Sequence, residues 1–411
     1  MNNTLNKNNK SWIDSANGSF FPIQNLPLGI YSIQEDKRVC TRIGDYVLDL
    51  YELYEKNLLP DLNLSEKHLK NDFLNDLISL GKEFNNKLRT RLTHLLGEGN
   101  SVDRTNVENC LHKINDCRLH LPVRIGDYTD FYSSREHATN VGIMFRDPAN
   151  ALLPNWLHMP VGYHGRASSI VVSGTEIKRP SGQIVTKDGE PPIFSQSRQL
   201  DFELEMAFVI GKGNELGTPI SIEKTHDHIF GLCLFNDWSA RDIQKWEYVP
   251  LGPFLGKNFA STTSPWIVSL EALAEFKVYG PIQHPQPLDY LNPESQRNLD
   301  IILEVYINDT LVCTSNTKYL YWSMSQQLAH HTINGCNMQV GDFCASGTIS
   351  GPDSSSFGSM LELAWKGTKP ITLSDGTSRT FIQDGDVVRM NAYAQNENYK
   401  IGFGECEGKV L

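Results

Sequence analysis

Between residues 27 and 50, short apolar runs alternate with turn residues, a pattern that predicts β-strands. Gly44 and Asp45 separate the runs at 40–43 and 46–50. A two-residue connection with glycine first is typical of a type II′ turn, because its first position requires a positive φ. The pattern therefore predicts a β-hairpin at this point.

Two stretches with helical periodicity follow the hairpin. Leucine, isoleucine and phenylalanine recur at helical spacing over 63–80, which predicts one helix that ends at Gly81. The same spacing over 84–95 predicts a second helix that ends at Gly97. Polar residues and glycine then predict a connector over 97–116.

Beyond residue 120 the periodicity changes to that of short β-strands separated by Gly, Pro and Ser. The β-rich segments lie at 169–172, 202–209, 229–235, 301–307, 361–365 and 387–392. One helix is predicted at 323–331. We therefore predict a mostly β protein with some α-helix, divided into a small N-terminal domain at 1–118 and a large β domain at 119–411. The asparagine-rich residues 1–16 are expected to be frayed.

Composition and charge exclude several classes of function. The 411 residues carry a formal net charge of -11, which argues against binding to nucleic acid or to an anionic membrane. None of the eight cysteines forms a C-x-x-C pair, so zinc ribbons and thioredoxin-like redox chemistry have no support, and buried reduced thiols are expected. There is neither a signal-peptide pattern nor a run long enough to span a membrane. A cytoplasmic protein is the simplest interpretation.

Residues 126–140 combine aromatic residues and ionisable groups with no sustained helix or strand period. Asp130 and His137 lie in this stretch, next to several tyrosine and serine hydroxyls. Core segments rarely carry so many titratable groups, and solvated loops rarely carry so many large aromatics. The stretch is therefore a candidate site, although an ordered surface loop with one satisfied histidine would have the same composition.

Acidic and apolar residues alternate strictly over 201–206. On a strand this spacing would place the carboxylates of Asp201, Glu203 and Glu205 on one face. Acids alone on a face repel each other unless they are solvated or bridged by a cation. The pattern favours an oxygen-liganded hard cation, and a merely exposed polar face is the alternative.

An apolar run at 230–235 ends just before Asp237. If the following residues are helical, Asp237, Arg241 and Gln244 share one face of that helix. Carboxylates at the end of a buried strand often belong to functional sites. The alternative is an N-cap aspartate with an ion pair one turn later.

Two further charged residues have unusual sequence surroundings. Lys257 ends the Pro/Gly-rich loop at 250–257, where a solvated lysine is the default expectation. Glu362 lies in the otherwise apolar segment 360–365. Burial of this carboxylate would be costly without a partner and would raise its pKa, which points to a paired group, for instance with a histidine.

These residues and their neighbours resemble those of the fumarylacetoacetate hydrolase family over nearly the whole chain after residue 20. The supporting strings are 126–140, 150–157, 160–174, 201–208, 236–257, 330–335 and 345–368. The resemblance implies an N-terminal SH3-like β-barrel domain with helices and a C-terminal catalytic β-roll domain. It also implies a homodimer and a bound Ca²⁺ or Mg²⁺ ion.

The resemblance also implies roles for individual residues. The metal ligands would be Asp130, Glu203, Glu205 and Asp237. The general base would be His137, oriented by Glu362. The groups that hold and polarise the substrate would be Arg241, Gln244 and Lys257. Further substrate-binding positions would be Tyr132, Arg146, Tyr163, Tyr248 and Thr348, together with Gln244. Asp201 also matches the family but is not one of its ligands. Ser261, preceded by Ala260, stands where a threonine is expected, and because the hydroxyl is kept, at most a small change in substrate fit is expected.

The activity implied by the resemblance is hydrolysis of the carbon–carbon bond of 4-fumarylacetoacetate, a β-diketone, to fumarate and acetoacetate in tyrosine and phenylalanine breakdown. An acylpyruvate hydrolase or oxaloacetate decarboxylase of the same superfamily is the first alternative, but the N-terminal domain and the motif around His137 disfavour it. A non-catalytic calcium-binding protein is the second alternative. It would leave His137, Glu362 and Lys257 without a purpose.

Overall fold

The structure, a computed structural model, describes residues 9–99, 104–187, 189–292 and 297–411. Its N-terminal part contains the strands β1 Leu28–Ile33, β2 Asp36–Ile43, β3 Tyr46–Asp49, β4 Leu111–Lys113 and β5 Arg118–His120. These strands form one antiparallel sheet in the order β4–β3–β2–β1–β5. The helices of this part are α1 Leu50–Glu55, α2 Glu66–Leu69, α3 Asn75–Ile78, α4 Lys82–Leu96 and α5 Arg104–Glu108.

The predicted hairpin is confirmed. Ile43 of β2 pairs with Tyr46 of β3, so the connection has two residues. Gly44 has a φ of 53°, the left-handed conformation that the first position of a type II′ turn requires. A Cβ atom at this position would lie 2.5 Å from Ser15 Oγ and 2.7 Å from the main-chain nitrogen of Ala16. Both the turn and its packing therefore require glycine.

The single helix predicted over 63–80 is wrong, because two one-turn helices, α2 and α3, occupy this segment. The chain leaves the helical path at Lys70, which has φ -95° and ψ 81°. The N–H of Leu74 then donates to the carbonyl of Pro122 at 2.9 Å. A contact with a residue distant in sequence thus interrupts the helix, although the apolar residues keep helical spacing along the whole segment. The second predicted helix is confirmed as α4.

Two further expectations concern chain segments that are partly outside the described residues. Residues 1–8, in the stretch expected to be frayed, lie outside them. From Ser11 onward the expectation is wrong, because Ser11 is fully buried and its Oγ donates to the carbonyl of Leu96 at 2.9 Å. The connector predicted at 97–116 contains α5 and β4, and its residues 100–103 lie outside the described part.

The larger part contains the following strands: β6 Tyr128–Phe131, β7 Gly162–His164, β8 Ile170–Val172, β9 Ser181–Ile184, β10 Ile193–Gln196, β11 Leu200–Asp201, β12 Leu204–Ile210, β13 Ile229–Asn236, β14 Ser239–Ala240, β15 Ser261–Thr263, β16 Val268–Ser269, β17 Lys277–Val278, β18 Asn298–Leu299, β19 Ile302–Ile307, β20 Thr310–Asn316, β21 Phe343–Ala345, β22 Ile371–Thr372, β23 Ser378–Arg379, β24 Val387–Gln395, β25 Lys400–Gly402 and β26 Cys406–Lys409. Its helices are α6 Arg135–Phe145, α7 Thr225–His228, α8 Arg241–Glu247, α9 Met324–Thr332 and α10 Met360–Leu363.

A mixed sheet of eight strands forms the centre of the molecule, in the order β7–β6–β21–β12–β13–β15–β8, with β16 added to β13. A second sheet has the order β20–β19–β24–β25, with β26 added to β24. These strands confirm five of the six predicted β segments, and α9 confirms the predicted helix. The strand predicted at 361–365 is wrong, because the helix α10 occupies most of this segment. The periodicity of a short apolar run does not distinguish a buried strand from a buried helix.

The central strand β12 is buried on both faces. Leu204, Met206 and Phe208 belong to the core of the larger part. Ala207 and Val209 face the opposite way and belong to the same core as the leucines of α1–α4. The N-terminal part therefore packs directly on one face of the central sheet, and residues of both parts belong to the core at this face.

The mostly β architecture with some helix agrees with the predicted fold class. Closure of the N-terminal sheet into an SH3-like barrel stays a prediction, as does the division at residue 118. Each of the eight cysteines is free, and six of them are buried. In the parts of the chain that the structure describes, no helix combines the length and apolar content needed to cross a membrane.

Gly44→Ala is expected to destabilise the protein more than Gly18→Ala. Both glycines have positive φ, so each alanine carries a conformational cost of about 1–2 kcal/mol. Only Gly44 also lacks room for a Cβ atom, whereas nothing lies within 4 Å of one at Gly18. Urea unfolding of both variants measures the difference, and equal midpoints would contradict the packing argument.

Candidate active site

Four carboxylates meet at one end of the central sheet. Asp130 lies on β6, Glu203 and Glu205 at the start of β12, and Asp237 just after β13. Because β12 runs antiparallel to β13, the start of one strand meets the end of the other. The four side chains are buried, and one oxygen from each lies within 4.8 Å of the others. We call these residues the acid cluster.

The acid cluster has unsatisfied negative charge. Burial and the nearby charge of Asp237 raise the pKa of Asp130, and burial and the charge of Asp130 raise the pKa of Glu205. Neither Asp130 Oδ1 nor Glu205 Oε1 has a hydrogen-bond partner among the described residues. Buried, unpartnered carboxylate oxygens are the ligands that hard divalent cations prefer. The acid cluster could therefore hold a metal ion.

Two buried cations contact the acid cluster. Lys257 is 6% exposed, and its Nζ donates to Glu203 Oε2 and, at 2.8 Å, to Asp237 Oδ2. Arg241 Nη2 lies 2.8 Å from Glu203 Oε1. Burial alone would raise the pKa of Glu203, but the charges of Lys257 and Arg241 hold it well below its ordinary value. The default expectation of a solvated Lys257 is wrong.

The shared helical face predicted for Asp237, Arg241 and Gln244 is also wrong. The helix α8 begins at Arg241, and the short strand β14 separates it from Asp237. Arg241 pairs instead with Asp201, through Nε and Oδ2 at 2.8 Å, and with Glu203. Within α8, Arg241 Nη1 donates to Gln244 Oε1 at 3.3 Å.

His137 and Glu362 form a buried pair near the acid cluster. Ser134 caps the helix α6, and its Oγ accepts a hydrogen bond from the His137 N–H at 3.2 Å. This cap places His137, which is 3% exposed, in the first turn of α6. His137 Nδ1 lies 2.6 Å from Glu362 Oε2. Because a carboxylate accepts, Nδ1 carries a proton, and in the neutral form of the ring Nε2 is the nitrogen with the free lone pair.

Three neutral groups also donate to Glu362. Asn140 Nδ2 donates to Oε1 at 2.9 Å, whereas Ser350 Oγ at 2.8 Å and Ser359 Oγ at 2.9 Å donate to Oε2. The pairing with a histidine that the sequence indicated for Glu362 is therefore present, and it offsets the effect of burial on the pKa of Glu362. Burial acts to raise this pKa, but the charge of His137 and these hydrogen bonds lower it below the ordinary value. Glu362 is thus held as a carboxylate.

The structure brings some of the predicted substrate-binding residues to this region. The ring of Tyr132 meets that of His137 edge to face, with centroids 5.3 Å apart. Tyr163 Oη donates to Asp237 Oδ2 at 2.8 Å. Thr348 is buried, one residue after the Gly347 N–H that donates to Glu205 Oε2 at 2.9 Å.

Two of the predicted residues lie outside these contacts. Arg146 follows the end of α6, is exposed, and donates from Nη2 to the carbonyl of Ala151 at 2.6 Å. Tyr248 follows α8 and is 52% exposed. The structure does not bring either side chain into contact with the acid cluster or with His137.

Asn140 and Ser350 were not predicted as site residues, but both donate to Glu362 and hold it in place. Asn140 follows His137 by three positions in α6, so helical spacing could have indicated it. Ser350 has no comparable local signal, because it meets Glu362 only through the fold. Ser261 Oγ donates to Asp237 Oδ1 at 2.7 Å, so this hydroxyl supports the acid cluster.

Comparison with known proteins places this site in a family. A model described as fumarylacetoacetase N-terminal matches residues 24–122, and a model described as fumarylacetoacetate (FAA) hydrolase C-terminal matches residues 127–411. The chain belongs to the fumarylacetoacetate hydrolase family. Among curated members, it is 52% identical over 412 residues to the fumarylacetoacetase of Homo sapiens, with 98% of each chain covered. It is 53% identical over 419 residues to that of Dictyostelium discoideum, again with 98% of each covered.

Two solved structures share the fold of this chain. A fumarylacetoacetate hydrolase from the psychrophile Exiguobacterium antarcticum has a TM-score of 0.54 at 18% identity, covering 94% of this chain and 99% of its own. A putative HpcE protein from Mycobacterium smegmatis has a TM-score of 0.55 at 18% identity, covering 93% and 98%. The resemblance found in the sequence is therefore confirmed at the level of family and fold.

Divalent cations are expected to raise the melting temperature of the cation-free protein, because a bound cation relieves the repulsion within the acid cluster. A ligand present at 100 times its Kd stabilises the folded state by about 2.7 kcal/mol. The Glu205→Gln variant is expected to lose most of the shift, since it removes one of the unpartnered oxygens. Calorimetric melting with added Mg²⁺ or Ca²⁺, and again after chelation, measures the effect.

Asp342→Asn is the matched control for this experiment. The Asp342 carboxylate is also buried, but it accepts main-chain N–H groups from Asp127 at 2.9 Å and Gln339 at 2.8 Å outside the acid cluster. Its cation-dependent shift should equal that of the wild type. A full shift in Glu205→Gln would show that the cation binds elsewhere.

Proposed function

We propose that this chain is a fumarylacetoacetase, which hydrolyses the carbon–carbon bond of 4-fumarylacetoacetate to give fumarate and acetoacetate in tyrosine and phenylalanine breakdown. The observation that carries the proposal is the buried His137–Glu362 pair near the acid cluster. The identity of about half the residues with curated fumarylacetoacetases along 98% of the chain supports it.

His137 acts as the general base. Glu362 holds the proton on Nδ1, so that Nε2 takes a proton from water as the water attacks the carbonyl carbon next to the fumaryl half. The carbon–carbon bond to the acetoacetyl half then breaks, and the proton taken up by Nε2 passes to the leaving carbon, which gives fumarate and acetoacetate. The charge that develops on the imidazole is stabilised by a carboxylate 2.6 Å away. Glu362 remains ionised because Asn140, Ser350 and Ser359 donate to it.

The acid cluster is the proposed site of a Ca²⁺ or Mg²⁺ ion, with Asp130, Glu203, Glu205 and Asp237 as its ligands. A divalent ion supplies Lewis-acid polarisation of carbonyl oxygens when it is bound. The protein holds the ligands in place: Tyr163 and Ser261 donate to Asp237, and the N–H of Gly347 donates to Glu205.

Donor groups next to the acid cluster stabilise charge on the substrate. Lys257, Arg241 and Gln244 supply N–H groups to the oxygen that becomes negative, a role worth about 3–4 kcal/mol per donor in other enzymes. The substrate-binding side chains are Tyr132, Arg146, Tyr163, Tyr248 and Thr348, together with Gln244. Arg146 and Tyr248 are exposed, which suits residues that meet the substrate at the entrance.

We also propose a cytoplasmic homodimer. Exposed apolar side chains concentrate on α8 and the loop that follows it, where Val249 is 66%, Leu251 97% and Phe254 65% exposed. A contiguous exposed apolar segment is typical of an interface. Analytical ultracentrifugation of the purified chain reports the oligomeric state.

The proposed activity is tested by following the ultraviolet absorbance of fumarylacetoacetate in the presence of the purified protein. The absorbance is expected to fall, to stop falling after chelation, and to fall again when Mg²⁺ or Ca²⁺ is restored. If fumarylacetoacetate is not consumed in any metal state while oxaloacetate or an acylpyruvate is, the chain belongs to the alternative branch of the superfamily. Cation binding with no turnover of any diketone would favour a non-catalytic role.

His137→Ala is expected to reduce kcat by about 100- to 10,000-fold, because it removes the base. The cation-induced rise in melting temperature should persist, since His137 is not one of the acid cluster residues. His120→Ala is a suitable control, because this histidine lies in the N-terminal part, 2.8 Å from Ser32 Oγ, and belongs to none of the groups of described residues that could hold a metal ion. Joint loss of turnover and cation binding in His137→Ala would mean that His137 is a ligand or a structural residue.

A further inference from the structure

Asp201 contacts two separate parts of the candidate site through one carboxylate. It is fully buried at the end of β11. Its Oδ2 accepts hydrogen bonds from Arg241 Nε at 2.8 Å and from the Leu361 N–H at 3.0 Å. Its Oδ1 accepts from the Met360 N–H at 2.7 Å. Asp201 is thus bound both to Arg241, a proposed substrate-binding residue, and to the helix that carries Glu362.

The helix α10 depends on these contacts because it has only one turn. Isolated helices of this length are unstable, and the first four N–H groups of any helix need acceptors outside it. Asp201 accepts the first two of these N–H groups, and Ser359 Oγ accepts that of Glu362 at 3.4 Å. The direction of the Glu362 side chain, and therefore of the imidazole of His137, is set from this turn.

Arg241 depends on Asp201 in a different way. The strand β11 pairs with β14, which brings Asp201 opposite Ser239, just before Arg241 begins α8. The guanidinium is then held between Asp201 on one side and Glu203 on the other. Without the charge of Asp201, the guanidinium would be drawn toward Glu203 and away from the position at which it meets a substrate.

We propose that Asp201 is a positioning residue that fixes both the substrate-binding Arg241 and the His137–Glu362 pair. The inference deepens the proposed function, on which its kinetic part rests. Asp201 touches neither His137 nor a reacting atom, and it acts through Arg241 and α10. Its loss therefore affects both Arg241, which binds the substrate and donates to the oxygen that becomes negative, and the imidazole of His137, so that substrate binding and the chemical step change together.

The test is Asp201→Asn, with Asp386→Asn as the matched control. Asp386 is equally a buried carboxylate that binds an arginine and a main-chain N–H, from Arg379 Nε at 2.8 Å and Gln383 at 2.9 Å. It lies at the start of β24, in the second sheet. A general effect of losing a buried carboxylate would appear in both variants, whereas an effect on the candidate site would appear only in Asp201→Asn.

The first readout is the proton resonance of His137 Nδ1 in substrate-free protein labelled with ¹⁵N-histidine. A short bond to a carboxylate shifts this resonance far downfield in the wild type. We expect the resonance to move upfield or vanish in Asp201→Asn and to keep its wild-type chemical shift in Asp386→Asn. This readout needs no turnover, so it decides the positioning of His137 even if fumarylacetoacetate is not the substrate.

The second readout is steady-state kinetics. A displacement of about 1 Å costs about 100-fold in rate, so kcat of Asp201→Asn should fall by about 10- to 100-fold. KM should rise as well, and Asp386→Asn should keep both constants. An unchanged His137 resonance, or an unchanged kcat alongside normal wild-type turnover, would overturn the proposal.

A second pair of variants tests the proposal even if Asp201→Asn does not fold. Met360→Pro removes the N–H that donates to Asp201 Oδ1, and proline is well tolerated at the first position of a helix. Met360→Val introduces a side chain that is similar in size to proline, but it keeps the N–H. The His137 resonance should move in the proline variant relative to the valine variant. Identical spectra would contradict the role of Asp201.

Discussion

The burial of four carboxylates at one end of a single sheet is the constraint on which the rest of the structure depends. Like charges removed from water repel strongly, and each oxygen needs a donor or a cation. Lys257 and Arg241 supply part of the balance, and both are themselves buried by the loops and strands around them. Two oxygens, on Asp130 and Glu205, remain unpartnered among the described residues. The acid cluster is therefore arranged for a charge that the polypeptide itself does not supply.

The sheet topology makes this concentration of acids possible. Neighbouring strands alternate in direction around β12, so the end of one strand and the start of the next lie at the same edge. The N-terminal part covers the face of the sheet that continues from the acid cluster, where Ala207, Val209, Cys233 and Phe235 join its leucines. Its packing thus excludes water from the face of the sheet next to the acid cluster. The two parts of the chain form a single structural unit around the sheet.

Short helical turns place the His137–Glu362 pair next to this edge of the sheet. His137 is placed by the capped first turn of α6, and Glu362 by the single turn of α10. Neither helix turn would be stable alone, so both depend on hydrogen bonds from strands and loops of the larger part. Asp201 matters in this arrangement because it joins α10 to Arg241, and through Arg241 to the acid cluster. The His137–Glu362 pair and the acid cluster are therefore mechanically connected without direct contact.

Local patterns in the sequence determined the hairpin at Gly44, the helix α4, most strands of the larger part, and the candidate role of the acids at 201–206. These features depend on residues close in sequence, whose periodicity and turn chemistry can be read directly. The family resemblance added expected roles for the candidate site residues, including Lys257 and His137, because long matching strings carry their positions together.

Only the tertiary structure decided which side chains meet. His137 and Glu362 are 225 positions apart, and no local pattern links them. The segment at 360–365 reads as a strand, but Asp201 and Ser359 accept the N–H groups of a helical turn there. The helix predicted over 63–80 is interrupted because the N–H of Leu74 donates to the carbonyl of Pro122. Burial and pairing between distant residues set the charge of Glu362 and the position of Lys257, and such contacts exist only once the chain has folded.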